Sequence, residues 1–436
     1  MRDGGRIAAA ISVLADMESR PKPVRLALRG WGEAARYAGA KDRAFVSGLV
    51  LDVLRRRRSL AWRMGEETER ARVLGALRTL WRWPVERIEA AAADEHGPGP
   101  LTDAERERLK QPAPLETASG PIAGDYPDWL DAHMARVFGE GRAGEGAALA
   151  TRAPIDLRVN TLKTDVARTL KALEPFQPRP AGLIDTALRV DAPAASERAA
   201  PVEAAPEFEK GWFEVQDLGS QAAAALAGEI RGKQVLDFCA GGGGKTLALA
   251  AAMGSSGQLY AYDADARRLT DTVRRAQRAG VRNLQVRSPI HAAPLADLAG
   301  KMDLVFADAP CTGSGTWRRH PDAKWRLSPQ QLARRMAEQD AVLAGAAAFV
   351  KPGGRLIYVT CSLFAEENED RVSAFLAEAP AFTVLQASGV ADRFLTPEGF
   401  LRLTPQSADT DGFFAAVLRR LANNRDLFLP PLHGDA

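Results

Sequence analysis

Two cysteines that each follow a strand-like run are the residues of this sequence best suited to covalent chemistry. Cys311 comes after the apolar run 302–307 and a turn that begins at Asp308, and Cys361 comes after the apolar run 355–359. In open α/β sheets, ligands bind at the carboxyl ends of the strands. Two thiols and a carboxylate at that edge would form a nucleophilic site. The alternative is that both cysteines are small buried hydrophobic residues, as free cysteines often are.

A glycine-rich loop, residues 240–244, separates the predicted strand 234–238 from a predicted helix. Glycines at such a position let backbone N–H groups approach a bound ligand closely. A P-loop would need a glycine five residues before Gly244, where this chain has Cys239. The dinucleotide-binding pattern would need a glycine where the chain has Thr246. The loop therefore does not favour a nucleoside triphosphate or NAD as the ligand.

Acidic residues end the first two predicted strands of this region. Asp237 lies at the end of the strand before the glycine loop, and Asp263 follows the next strand, 259–262. A carboxylate at the second position can accept hydrogen bonds from both ribose hydroxyls of an adenosine cofactor. This arrangement favours S-adenosyl-L-methionine as the cofactor. The alternative is that Asp263 only caps the helix that follows it.

The composition is that of an ordinary globular protein. The chain has 436 residues, 46% of them hydrophobic and 26% charged, which predicts two or three domains with adequate cores. No apolar run reaches the ~18 residues that a membrane span needs, so no membrane partner is expected. Its three cysteines provide neither a disulfide framework nor a zinc-binding pattern. We therefore expect no metal, and a reducing cytoplasm as the compartment.

The formal net charge is only +3, so a nucleic-acid surface would have to come from local clusters of basic residues. Arginine clusters occur at 55–58, 318–319 and 334–335. Each could equally be a solvated face, which is the commoner role of a charge run.

The hydrophobic patterning divides the chain into three predicted domains. Residues 1–112 have helical periodicity and predict an all-helical domain. After a linker rich in Pro, Gly and Ala, residues 126–210 predict a small α+β module. Residues 211–422 alternate strands and helices in the way that produces a parallel sheet, so the predicted fold class is α/β.

Several motifs resemble those of the Sun/Fmu-like RNA cytosine-C5 methyltransferases. The segment 308–322 is similar to the family's Pro-Cys motif, and 359–369 is similar to its Thr-Cys motif. Further likenesses lie at 41–45, 158–163, 215–221 and 411–414. The resemblance implies a Rossmann-like S-adenosylmethionine-dependent methyltransferase domain, preceded by a small RNA-recognition module and a helical NusB-like RNA-binding domain.

The resemblance also implies roles for single residues. Cys361 would attack the cytosine ring, Asp308 would hydrogen-bond it, and Cys311 would help remove the carbon-5 proton. Lys245 would lie near the reacting base, or alternatively contact a phosphate or the backbone. The residues expected to bind S-adenosyl-L-methionine are Asp237, Cys239, Ala240, Gly241, Gly242, Gly243, Gly244, Lys245, Asp263, Arg268, Asp308 and Pro310. The residues expected to bind RNA are Arg158, Asn160, Lys163, Arg318 and Arg319.

The implied function is methylation of carbon 5 of a cytosine in RNA. Ribosomal RNA, specifically 16S, is the expected substrate, transfer RNA is the alternative, and the protein is expected to be a monomer. Two departures from the family pattern stand out. Gly241 and Gly242 replace the usual Ala-Pro, which predicts a more flexible loop, and the segment 287–291 lacks the usual acid near the adenine. A non-catalytic RNA-binding ribosome-assembly factor and a DNA cytosine methyltransferase are the alternative functions.

Overall fold

The computed structural model of the chain describes residues 1–194, 197, 199–389 and 392–422. Contacts between residues divide it into two compact units. The helical unit comprises Met1–Ala153, Thr316–Leu327 and the described part of Ala192–Ala200. The sheet unit comprises Pro154–Asp191, Pro201–Gly315 and the described residues from Ser328 onward. The predicted three-domain division at residues 112, 126 and 210 stays a prediction.

Helices with apolar faces build the helical unit. They are α1 (Asp3–Ser19), α2 (Val24–Ala34), α3 (Ala40–Arg55), α4 (Arg57–Met64), α5 (Glu69–Thr79), α6 (Val85–Ala92), α7 (Asp103–Lys110), α8 (Asp131–Phe138) and α9 (Arg142–Leu149), with helical turns at Gly120–Ala123 and Ala323–Arg326. Val46, Leu49, Val50 and Val53 recur on one face of α3 and are fully buried. Asp42 accepts a hydrogen bond from the Gly39 amide (2.9 Å) and so caps the start of that helix. Among the described residues, no helix is both long and apolar enough to cross a membrane.

A four-stranded antiparallel sheet begins the sheet unit. Its strands are β1 (Ile155–Val159), β2 (Arg179–Pro180), β3 (Ala187–Val190) and β4 (Phe213–Val215), and the associated helices are α10 (Val166–Ala172) and α11 (Leu218–Ala225), with a helical turn at Pro206–Glu209. The strand order is β2-β3-β1-β4. A buried ion pair crosses this sheet: Arg189 donates two hydrogen bonds to Asp156, at 2.6 and 3.1 Å. Asp156 also accepts a bond from the Leu218 amide (3.0 Å), so the pair links β1 and β3 to the start of α11.

The second sheet carries the predicted parallel strands. Its strands and the helices around them are β5 (Gln234–Asp237), α12 (Gly244–Met253), β6 (Gln258–Tyr262), α13 (Ala266–Ala279), β7 (Leu284–Arg287), β8 (Met302–Asp308), α14 (Pro329–Ala347), β9 (Val350–Thr360), α15 (Glu369–Glu378), β10 (Phe382–Leu385), β11 (Leu401–Leu403) and β12 (Phe413–Arg420), with a helical turn at Pro405–Ala408. The order is β10-β12-β9-β8-β5-β6-β7, with β11 beside β12. Strands β5 to β9 pair in parallel, which confirms the predicted α/β class.

The order of this sheet reverses between β5 and β8. From β5 the chain moves outward through β6 and β7 on one side, and through β8 and β9 on the other. Ligand sites in open α/β sheets lie at the carboxyl ends of the strands at such a point. The loops after β5 and β8 are therefore the places to look for a binding site.

One predicted turn lies inside a strand. The sequence predicts a turn at 352–354, a Pro-Gly-Gly run, but these residues are part of β9. The pairing with β8 is irregular between Met302 and Leu304, and proline and glycine within strands are commonly found at such bulges. The short strands β2, β10 and β11 have too few residues for a periodic signal, and the sequence does not predict them.

The buried pair of Arg189 and Asp156 leads to a stability prediction. Asp156→Ala should lower the free energy of unfolding of the sheet unit by about 3 kcal/mol or more, because it leaves a buried guanidinium with less compensation. Asp191→Ala is the matched control, since its pair with Arg179 is exposed and should contribute less than about 1 kcal/mol. Native-state hydrogen exchange of the β1 and β3 amides measures both, and equal losses in the two variants would contradict the prediction.

Candidate active site

The two predicted cysteines lie at one edge of the large sheet. Strands β8 and β9 are parallel neighbours with Asp308 opposite Val359, so the chain leaves both strands at the same level. The Ala309 amide donates to the Val359 carbonyl (2.9 Å) and continues this pairing into the loop. The sulfur atoms of Cys311 and Cys361 are 3.3 Å apart. The expectation that two thiols meet at a strand edge is therefore confirmed.

A buried carboxylate connects the loops that carry the two thiols. Glu367 is fully buried and accepts hydrogen bonds from the Thr312 amide (2.8 Å) and the Thr312 hydroxyl (2.5 Å). It also accepts bonds from the Ser362 hydroxyl and from the side-chain amide of Gln339 (2.9 Å). Thr312 follows Cys311 and Ser362 follows Cys361, so one side chain positions both cysteine loops.

Glu367 and its partner Gln339 are site residues that the sequence analysis did not assign to the site. Glu367 lies within the segment identified as the Thr-Cys motif, six residues after Cys361, but its spacing alone indicates no role. Gln339 lies on α14 and also donates to the Pro310 carbonyl (2.9 Å). Only the packing of α14 beside β8 and β9 brings it to the loop.

The surroundings of Cys311 favour its protonated form. The hydrogen bond to Cys361, then burial, then the negative charges of Cys361 and Glu367 raise the pKa of Cys311 well above its ordinary value. Cys311 therefore stays protonated at neutral pH. Either sulfur of the pair can donate the hydrogen bond between them.

An ion pair lies beside the thiols. The ammonium of Lys245, at the start of α12, is 2.6 Å from a carboxylate oxygen of Asp308, at the end of β8. It also lies 5.1 Å from the centre of the Phe413 ring. Burial alone would lower the pKa of Lys245, but the charge and hydrogen bond of Asp308, with Cys361 and Asp237, raise it. Lys245 is therefore a cation, and it holds one oxygen of Asp308 in place.

The predicted cofactor loop follows β5 at the sheet's reversal point. The Thr246 hydroxyl donates to one oxygen of the buried Asp237 (2.6 Å), whereas the other oxygen has no partner among the described residues. Burial, together with the charges of Asp308 and Asp263, raises the pKa of Asp237 to about 7. Burial likewise raises the pKa of Cys239 well above its ordinary value, so this thiol is neutral.

The glycine loop has a backbone that only small residues adopt easily. Gly241 and Gly243 have φ values of 55° and 88°, and a Cβ at Gly241 would lie 2.7 Å from a guanidinium nitrogen of Arg268. The Gly241 amide donates to Asp263 (2.8 Å), and the Gly242 carbonyl accepts from Arg275 (2.5 Å). The loop that has two glycines in place of Ala-Pro is thus held by bonds to its neighbours in the folded state.

These residues suit an adenosine-bearing cofactor. Asp237 and Asp263 end adjacent parallel strands, Ala240 to Gly244 form a loop without bulky side chains, and Asp237 has an unused buried oxygen. The Asp263 carboxylate accepts bonds from Gly241, Asp265 and Arg268. The residue that caps α13 is Asp265, whose side chain accepts a bond from the Arg267 amide (3.1 Å), so the structure does not support the alternative that Asp263 caps this helix. Arg287, the last residue of β7, pairs with Asp297 (2.9 Å). This acid lies beyond the segment 287–291, where the family usually has an acid near the adenine.

Two of the three RNA-binding residues predicted near the small sheet, Arg158 and Asn160, are buried in the protein. Arg158 is buried and donates to Gln216 (2.7 Å), and burial lowers its pKa to about 10. Asn160 is buried and donates to the carbonyls of Gly211 and Ala279. Lys163 is exposed, but its ammonium donates to two backbone carbonyls. The structure does not support phosphate contacts by Arg158 and Asn160, because their donors are already used inside the protein.

Two predicted RNA-binding residues near the end of the Pro-Cys motif, Arg318 and Arg319, belong to the helical unit. Arg318 is only 1% exposed, and its carbonyl accepts a bond from Arg55 (3.1 Å). A side chain buried as deeply as that of Arg318 does not support the predicted contact with an RNA phosphate. Arg319 is partly exposed, so its RNA contact stays a prediction.

Comparisons with known proteins identify the family. A family model described as 16S rRNA methyltransferase RsmB/F matches residues 224–419. A probable ribosomal RNA small subunit methyltransferase B from Synechocystis is 32% identical over 305 residues, covering 68% of this chain and 67% of that protein. The methyltransferase B of Erwinia tasmaniensis is 36% identical over 236 residues, which are 53% of this chain and about half (51%) of that protein. The crystal structure of a methyltransferase homologue from Pyrococcus horikoshii is 27% identical, with a TM-score of 0.59 over 71% of this chain and 100% of that one. These matches confirm the resemblance seen in the motifs, and the chain belongs to the RsmB/F (Sun) family of 16S rRNA methyltransferases.

Proposed function

We propose that this protein transfers a methyl group from S-adenosylmethionine to carbon 5 of a cytosine in 16S ribosomal RNA, through a transient bond between Cys361 and the base. The observation that carries this proposal is the contact of two thiols, 3.3 Å apart, at the reversal point of the sheet. When bound, S-adenosylmethionine supplies an electrophilic methyl group. The residues that would hold it are Asp237, Asp263 and the loop from Cys239 to Gly244.

Cys361 has the role of nucleophile in this proposal. Carbon 5 of cytosine is too weakly nucleophilic to attack a methyl group unaided. Addition of the Cys361 sulfur to carbon 6 converts the ring into an enamine-like species whose carbon 5 can attack, which divides one difficult step into easier ones. Lys245 holds one oxygen of Asp308, and the Asp308 carboxylate would accept a hydrogen bond from the cytosine amino group. Nitrogen 3 becomes basic as the sulfur adds, so the proton that the Cys361 thiol gives up passes to nitrogen 3, and Asp308 would accept a hydrogen bond from the new N–H group.

Cys311 has the role of base for product release. After methyl transfer, carbon 5 carries both a methyl group and a proton. Loss of this proton to Cys311 re-forms the double bond between carbons 5 and 6, and the electron pair of the carbon–sulfur bond returns to Cys361. The largest influence that keeps Cys311 protonated is its bond to Cys361. That influence weakens once Cys361 is bonded to the base, so Cys311 can then lose its own proton to water and act as a base.

The substrate base must leave its stack before Cys361 can reach it. Enzymes that modify a base take it out of the duplex or act on unpaired RNA, so a loop of ribosomal RNA suits this site. The non-catalytic alternative is not favoured, because the thiol pair, the Lys245–Asp308 pair and the cofactor loop are all intact. Transfer RNA as a substrate, a monomeric state and a cytoplasmic location remain predictions.

Replacing the nucleophile tests the proposal directly. Cys361→Ala should reduce methyl transfer by at least about 10³-fold, because the ring is no longer activated. The measurement is incorporation of labelled methyl from S-adenosylmethionine into a 16S ribosomal RNA transcript. Calorimetry should find cofactor binding retained. Normal turnover by this variant would contradict the assignment of Cys361.

Removing the release base should trap the intermediate. Cys311→Ala should accumulate a covalent complex of protein and RNA, because the carbon-5 proton has no acceptor and the bond to Cys361 persists. The complex appears as a slow band on a denaturing gel. The double variant Cys311→Ala/Cys361→Ala is the control and should lack the band. Full activity without any band in the single variant would exclude Cys311 as the base.

The buried glutamate should control the rate of bond formation. Glu367→Gln replaces an acceptor oxygen by an amide donor that faces the donors of Thr312, Ser362 and Gln339, so the cysteine loops should shift. We expect kcat to fall about 10- to 100-fold with cofactor affinity retained, and slower accumulation of the covalent complex in a Cys311→Ala background. Glu378→Gln, on the exposed end of α15, is the control. A kcat for Glu367→Gln equal to that of this control would refute the positioning role.

A further inference from the structure

The positive charge of this protein is concentrated in a short segment near its start. Residues 20–41 contain six Lys or Arg residues and one acidic residue, Glu33. The whole chain has 58 Lys and Arg against 55 Asp and Glu, so all other residues together carry 52 and 54, a net charge of −2. The chain's overall excess of +3 therefore derives from this one segment.

The arginines of this segment are exposed and uncompensated. Arg25, Arg29 and Arg36 are all exposed, and among the described residues none of them forms an ion pair with a carboxylate. Arg25 and Arg29 are one helical turn apart on α2, so their side chains project from one side of that helix. Arg36 lies two residues beyond the end of the helix.

The arginine clusters at 55–58 and 334–335, which stand out in the sequence, differ from this segment because acidic residues pair with them. Within the 55–58 run, Arg57 pairs with Glu18 (2.5 Å) and Arg58 pairs with Asp128 (2.6 Å). Arg334 and Arg335 both bind Glu338. These clusters are largely neutralised by neighbouring acids. In the segment 20–41, Lys22 pairs with Asp16, but among the described residues the arginines have no such partner. An uncompensated surface keeps its full attraction for a polyanion.

Exposed aromatic and apolar side chains accompany these arginines. Tyr37, directly after Arg36, is 76% exposed, and Leu26, directly after Arg25, is 52% exposed. A large side chain on the surface is not unusual by itself. Guanidinium groups beside an exposed aromatic ring are, however, the combination that binds single-stranded nucleic acid, through phosphate contacts and base stacking.

We propose that the basic surface formed by Arg25, Arg29, Arg36 and Tyr37 binds the RNA substrate in a single-stranded segment. This proposal rests on the proposed function for the identity of the substrate, but it adds a binding surface in the helical unit, distinct from the residues that make and break bonds. The arginines contact phosphates, and Tyr37 stacks on an unpaired base. Glu33, on the same side of α2, opposes binding.

Two matched double variants test whether this surface, rather than the net charge of the protein, determines RNA binding. Arg25→Ala/Arg29→Ala should weaken binding of a 16S ribosomal RNA transcript about tenfold and reduce the slope of log affinity against log salt by about 1.4, the value for two single-strand phosphate contacts. Arg334→Ala/Arg335→Ala removes the same charge from compensated positions and is the matched control. Glu33→Gln should change affinity in the opposite direction and strengthen binding. Equal effects of the two double variants would overturn the proposal, because net charge alone would then explain them.

The stacking role has its own control. Tyr37→Ala should weaken binding about tenfold, whereas Tyr37→Phe keeps the ring and should bind as the unchanged protein does. Loss of affinity in both variants would exclude stacking.

Kinetics distinguish this proposal from the proposed chemistry. In the arginine double variant, KM for RNA should rise while kcat at saturating RNA and the yield of covalent complex stay unchanged. Affinity for RNA can be measured whether or not Cys361 is the nucleophile, so failure of one proposal leaves the other testable. Unchanged affinity for free RNA, with reduced methylation of assembled small subunits, would identify a protein as the partner and would overturn the proposal.

Discussion

A single buried carboxylate determines whether the reactive groups of this protein can be held together. Glu367 has no exposed surface, and a charge in such a place is tolerated only when hydrogen-bond donors surround it. Its donors come from Thr312, Ser362 and Gln339. Two of these residues are direct neighbours of the cysteines. The hydrogen bonds of Glu367 are therefore complete only when both cysteine loops are in position, so the stability of the fold and the geometry of the site depend on the same interaction.

The same constraint divides the chemical work between the thiols. Two thiolates 3.3 Å apart would repel by about 5 kcal/mol at an effective dielectric constant of about 20. Repulsion of this size keeps the two thiols from being ionised at the same time, and the raised pKa of Cys311 indicates that Cys311 keeps its proton. The negative charge of Glu367 contributes to this assignment. One sulfur can attack while its neighbour remains neutral, and the asymmetry weakens when the attacking sulfur forms a bond to carbon.

The parts of this arrangement that depend on local sequence could be predicted. Strands β5, β6 and β8 are buried parallel strands that begin or end at glycine or acidic residues, so their ends lie within about a residue of the predicted ones. The side-chain partners could not be predicted, because they depend on which distant residues meet. Arg158 and Asn160 lie in the motif region that suggested RNA contact, yet their hydrogen bonds join β1 to neighbouring segments. Gln339 reaches the site only through the packing of α14.

The neutralisation of surface arginines could not be predicted either, because it depends on which acidic residues the fold brings close to them. The run of four arginines at 55–58 is conspicuous in the sequence, but helix packing brings Glu18 and Asp128 to it. The basic residues of 20–41 are spaced out and less visible in the sequence. Among the described residues, the fold brings a carboxylate to Lys22 but none to the arginines. All residues proposed for bond making belong to the sheet unit, whereas this surface belongs to the helical unit. The residues proposed to bind RNA and those proposed to make bonds therefore lie in different units of the chain, so substitutions can test the two proposals separately.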